Sequence, residues 1–171
     1  MNLPDPTPFL DELITEVTQL CGLLDHLLLD HICYRVETLP EYEGIKRARS
    51  QDAKLLGESI VGGRPIATYQ LNTPFVYQGR VIDVVEIPSP KPGSPYPTGY
   101  EHVEFVTDRP LPEFLDYLLA QNPALSDSLS TGGLAKTTNP DIRLSLPNGH
   151  SVKFHEQSLA QVILAESRDV K

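Results

Sequence analysis

Apolar positions recur at three- and four-residue steps near the start of the chain. Phe9, Leu10, Leu13, Ile14, Val17, Leu20 and Cys21 fall on one face of a helix over Pro6–Gly22. Gly22 stands where such a helix would stop. The period then shortens to two. Ile32, Tyr34 and Val36 alternate with His31, Cys33 and Arg35, which predicts a strand over Asp30–Val36. A second helix is expected over Tyr42–Leu56, ending at Gly57 and followed by a Gly62–Gly63 turn between short extended pieces. Pro65–Leu71 and Val81–Ile87 read as the next strands, joined around Tyr77-Gln78-Gly79.

The stretch Pro88–Gly99 holds five prolines, two glycines and two serines, so it reads as a linker or an extended cover strip. After it the order of elements begins again. Glu101–Thr107 predicts a strand, and Leu111–Ala120 a helix with Pro110 and Pro112 near its start. Leu134–Thr137 is expected as a short strand. Ile142–Leu146 and Ser151–His155 predict a hairpin around Pro147-Asn148-Gly149. Ser158–Glu166 reads as a helix capped by Ser158. Strand, helix and three strands thus occur twice. A repeated order of this kind points to duplication of one supersecondary unit. The expected division is an N-terminal helical extension (1–29), a first module (30–88), the proline-rich segment (89–99) and a second module with a C-terminal helix (100–171).

Composition narrows the function classes. The 171 residues are 40 % hydrophobic and 22 % charged, which suits a packed globular chain. The longest early apolar run, Leu23–Leu29, is interrupted by Asp25 and His26 and is too short for a membrane span. No charged-then-apolar N-terminal signal is present, so a soluble, cytoplasmic protein without a membrane partner is expected. The net charge of −9 argues against nucleic acid as a partner. The one basic cluster, Lys46, Arg47 and Arg49, reads as the solvated face of a helix. Cys21 and Cys33 are not in C-x-x-C spacing and read as small buried hydrophobes.

Alternation places the candidate chemistry. His31, Cys33 and Arg35 share one face of the first strand, and His102, Glu104 and Val106 share one face of its repeat. Asp30-His31-Ile32 and Glu101-His102-Val103 match as acid, histidine and β-branched residue. The last strand of each half sets an ionisable group in an apolar run, Glu86 in the first and His155 in the second. A carboxylate buried there needs a partner or a metal. Imidazoles with a carboxylate suit a divalent transition metal, and two sheets curling together would bring His31 and His102 across a central cavity. Each residue also has a plainer reading. Glu86 can pair with Arg35 or Arg64, Glu104 with Arg35, and Glu156 reads as the solvated start of the last helix. His26 and His150 read as surface residues. No Gly-x-Ser-x-Gly, phosphate-binding glycine loop or His-Glu-x-x-His occurs.

The matching stretches are Asp30-His31-Ile32 with Arg35, Gly63-Arg64-Pro65-Ile66, Val85-Glu86-Ile87-Pro88 with Pro90, Gly99 with Glu101-His102-Val103-Glu104, and Lys153-Phe154-His155. With them the chain resembles the YecM family of the vicinal oxygen chelate superfamily, which also holds glyoxalase I, extradiol dioxygenases and bleomycin-resistance proteins. The resemblance implies an α+β fold of two βαβββ modules forming an incomplete mixed β-barrel around a central cavity. It implies a divalent ion (zinc, nickel, iron or manganese) held on the first and last strands of each module, by His31, Glu86, His102 and His155. At the last strand the commoner enzyme pattern has a Glu close after the turn glycine. Here Lys153 stands near that place and His155 follows. Glu104 is expected as a ligand or general base, and Arg35 and Arg64 as carboxylate-binding groups for the substrate.

Three functions follow as expectations. The first is a metal-dependent isomerase, lyase or dioxygenase acting on a small oxygenated molecule. The second is a small-molecule sequestering protein of the bleomycin-resistance type. The third is a protein with a structural metal or a scaffolding role. The absence of Trp and the low aromatic content of 7 % favour the metal reading over an aromatic-lined binding cleft. The oligomeric state is expected as monomer or homodimer.

Overall fold

A computed structural model describes residues 3–22 and 24–169. Leu23, the first residue of the apolar run noted above, lies outside the described residues. The chain divides into two compact units. One comprises the residues up to Pro6 together with His31–Glu101, and the other comprises Thr7–Asp30 and the residues from His102 onward.

The first unit contains most of β1 (Leu28–Arg35), then α2 (Leu39–Asp52), β2 (Ala53–Val61), β3 (Arg64–Tyr77) and β4 (Arg80–Pro88), following α1 (Thr7–Cys21) in the chain. Its strands run in the order β2-β3-β4-β1. β1 pairs parallel with β4, while β2–β3 and β3–β4 are antiparallel. α2 begins with a capping box: Glu41 N–H donates to Thr38 Oγ1, and Thr38 N–H donates to Glu41 Oε2 at 2.9 Å. Tyr42 and Ile45 of this helix are buried, as are Ile32, Ala67, Tyr69, Val85 and Ile87, which share one face of the sheet by register.

The second unit repeats the order. β5 (Gly99–Val106) is followed by α3 (Leu111–Gln121), β6 (Leu129–Ser130), β7 (Ile142–Ser145), β8 (Ser151–His155) and α4 (Leu159–Asp169). The strand order is β5-β8-β7-β6, with β5 parallel to β8. Val103, Phe105, Val152, Phe154, Ile142 and Leu144 form its buried face. The Phe114 ring of α3 lies 4.8 Å from that of Phe154, and Phe105 stacks on Phe154 at 6.0 Å. Each such side chain contributes roughly 1.5–3 kcal/mol by leaving water. α1 belongs to this unit. Leu10, Leu13, Val17 and Cys21 are buried, Asn148 donates to Glu12 at 2.9 Å, and Asn122 donates to the Leu20 carbonyl at 3.2 Å.

Both units are therefore α+β with βαβββ order, and the described residues form four helices and eight strands of mixed, unclosed sheet. Three local expectations are corrected, and a fourth, the solvated position of Glu156, holds with one added bond. The helix over Tyr42–Leu56 ends at Asp52, because Ala53–Gly57 pairs with Thr68–Leu71 as strand. The strand Pro65–Leu71 continues to Tyr77, with a register shift between Gln70 and Phe75 that accommodates Pro74. Leu134 lies in a 3₁₀ turn, Gly132–Ala135, and the short strand is Leu129–Ser130. Glu156 is bonded: its Oε1 accepts from Leu111 N–H at 2.8 Å. Ser158 caps α4 as expected, accepting from Gln161 N–H at 3.3 Å.

The proline-rich segment is a strip held on the first unit. Ser89 N–H donates to the Pro65 carbonyl at 2.9 Å, and Thr98 Oγ1 accepts from Glu37 N–H at 2.9 Å. No helix among the described residues is long and apolar enough to cross a membrane.

Candidate metal centre

In the first unit, His31 stands opposite Val84 and Cys33 opposite Glu86. Opposed residues share a sheet face, so His31, Cys33 and Glu86 lie on the same side. β3 adds Thr68, opposite Glu86. His31 is 1 % exposed and Glu86 is half-buried. Arg35 is two residues further along this face. Its guanidinium meets Glu101 Oε2 at 3.2 Å and lies over the Tyr96 ring at 4.6 Å. Arg64 donates to the Ser89 carbonyl at 2.9 Å and to the Tyr96 hydroxyl. Both arginines therefore hold Tyr96 of the proline-rich strip.

In the second unit, His102 stands opposite Ser151, Glu104 opposite Lys153 and Val106 opposite His155. His102, Glu104, Lys153 and His155 thus share one face. Lys153 Nζ donates to Glu104 Oε1 at 2.5 Å and lies 3.3 Å from His102 Nε2. His102 Nε2 is 3.1 Å from the same Glu104 oxygen. The other oxygen, Oε2, pairs with His155 Nε2. His155 Nδ1 lies 2.9 Å from the Pro140 carbonyl, which only accepts, so Nδ1 carries a proton. Glu104 is 4 % exposed. A carboxylate at that depth is tolerable only because three nitrogen groups surround it.

The two parallel ladders have the same register, and this settles which positions correspond. In each unit the residue two beyond the histidine of the first strand faces the last strand. That pair is Cys33 with Glu86 in the first unit and Glu104 with Lys153 in the second. The carboxylate therefore changes strand between the units. Lys153 is the counterpart of Glu86, and His155 lies two residues further on. Sequence reasoning noticed Lys153 beside the usual Glu position but gave it no role. The signal lay in the parallel register, which alternation within a strand does not contain.

The residues suit a divalent ion by the chemistry of their donor atoms. Imidazole nitrogen and carboxylate oxygen serve zinc, iron, nickel and manganese. The first unit presents one histidine and one carboxylate on a shared face, and the second presents two histidines and one carboxylate.

Residues 4–166 match the family described as "YecM protein". The chain belongs to the YecM family. Protein YecM of Escherichia coli (strain K12) is 28 % identical over 166 residues, spanning 90 % of this chain and 86 % of that one. An uncharacterized protein of Haemophilus influenzae is 31 % identical over 84 residues, or 48 % of this chain and 44 % of its own. A solved structure titled "Structural Genomics, Protein EC4020" superposes with a TM-score of 0.75 at 26 % identity, covering 93 % of this chain and 88 % of that one. In this YecM family member, the residues that sequence reasoning grouped by alternation keep that grouping within each unit. Arg35 and Arg64, expected to hold a substrate carboxylate, are joined to Glu101, Ser89 and Tyr96.

Proposed function

We propose that the chain is a divalent-metal-dependent enzyme, cytoplasmic and acting on a small oxygenated molecule. The proposed donors are His31 and Glu86 on the first unit and His102 and Glu104 on the second. The observation that carries this reading is the burial of His31, His102 and Glu104, each at most 5 % exposed, on the polar face of its own sheet. Ionisable groups are not placed there by packing alone, since burying them costs free energy unless they are paired or ligating.

When bound, the ion would supply Lewis-acid polarisation of a substrate oxygen pair. The chain's own groups do the rest. His155, tied by Nδ1 to Pro140, fixes the direction of the second Glu104 oxygen. In this reading His155 orients Glu104 instead of ligating. Arg35 and Arg64 keep Tyr96 in place beside the first unit's polar face.

Elemental analysis of protein prepared without chelator tests the reading. About one ion per chain is expected, as for a single site of this donor set. His31→Ala and His102→Ala should each lose the ion while keeping the circular dichroism spectrum of the parent. Full metal retention in both variants would remove the proposal.

A further inference from the structure

Lys153 lies half-buried against the proposed ligands of the second unit. Its ammonium touches Glu104 Oε1 at 2.5 Å and lies 3.3 Å from His102 Nε2. An ammonium has only protons to offer, so toward Lys153 the His102 Nε2 serves with its lone pair, whereas in the other tautomer it donates to Glu104 Oε1. A metal ion would need that same lone pair and that same carboxylate oxygen. The single lone pair of the nitrogen cannot serve both cations. The register gives a second, independent indication, since Lys153 occupies the position at which the first unit carries Glu86. A positive group thus stands where its counterpart is a proposed ligand.

We infer that Lys153 is a built-in competitor of the metal ion. It keeps Glu104 and His102 assembled when no ion is bound, and it must withdraw for an ion to enter. The exposures fit this motion. The Lys153 side chain is 22 % exposed against 5 % for Glu104, so the ammonium has solvent to withdraw into while the carboxylate stays fixed. The inference rests on the reading of His102 and Glu104 as ligands.

Zinc titration by calorimetry, with thermal melts of metal-free protein, tests it on three proteins: the parent, Lys153→Met and Lys153→Arg. Lys153→Met is expected to bind zinc more tightly by about tenfold or more, with Lys153→Arg close to the parent. Metal-free Lys153→Met should melt below the parent, because Glu104 loses its ammonium partner, and zinc should raise its melting temperature by more than it raises the parent's. Equal zinc affinity in parent and Lys153→Met, with binding abolished by His102→Ala, would overturn the role of Lys153 and leave the metal site standing. Failure of all three proteins to bind zinc, manganese or nickel would overturn both. If Lys153→Met does not fold, Lys153→Gln replaces it in the same comparison.

Discussion

Glu156 accepts a hydrogen bond from the backbone N–H of Leu111, 45 residues earlier in the chain, at 2.8 Å. Leu111 opens α3, whose N-cap residue is Pro110 and offers no side-chain cap. A carboxylate from the end of β8 thus supplies what the local sequence lacks, and its charge also suits the positive end of the helix. Glu156→Ala should destabilise the protein by about 1 kcal/mol, read from the urea midpoint. Metal content should not change. Loss of the ion in this variant would mean that Glu156, and not Glu104, serves the site.

Acid should weaken the first unit through Glu58. Its carboxylate accepts from Lys46 Nζ at 2.7 Å and from the Tyr42 hydroxyl at 2.6 Å. These bonds, Lys46 first, hold the Glu58 carboxyl below the usual carboxylate range, and burial with the same carboxylate pushes the Tyr42 phenol up. Because the folded value is the lower one, the stabilisation is complete above the ordinary value of about 4.3. It is lost as pH falls through the folded value. Glu58→Gln should therefore melt lower at neutral pH, by up to about 1 kcal/mol, and show a shallower decline below about pH 4. Parallel acid limbs for parent and variant would contradict the assignment.

Gly133 should not tolerate a side chain. A Cβ there would overlap the Asp141 carboxyl group. Asp141 is 5 % exposed, pairs with Lys136 and donates its backbone N–H to the Gly133 carbonyl at 3.3 Å. Gly133→Ala would push this buried acid away from its partner. The expected cost is about 1–3 kcal/mol, measured by urea unfolding. An unchanged midpoint would show that the loop yields freely.

Much of this arrangement was legible in the residues. The alternation in Asp30–Val36 and Glu101–Thr107 located both first strands, because one face of each must be apolar to pack on helices. The polar faces carrying His31, Glu86, His102 and Glu104 followed from the same rule. Three features were not legible, for physical reasons. Ala53–Leu56 consists of helix-favouring residues and becomes strand by pairing with β3. The strand was expected to stop at Leu71, yet a register shift between Gln70 and Phe75 lets β3 continue through Pro74. The facing of Glu104 and Lys153 depends on how far two parallel strands are offset. That offset is not contained in the alternation of either strand.

The register slip in β2 bears on how copies of this chain meet. β2 has β3 on one side only, and Ile60 and Val61 on it are 72 % and 53 % exposed. A straight, greasy border of nine residues would be a template for strand addition and aggregation. The ladder shifts between Leu55 and Gly57, and Lys54 and Glu58 place charges on either side of the shift. A second molecule laid along this border would meet a bent line of amides and would have to strip water from both charges. The opposite border strand, β6, has two residues and is too short to seed anything.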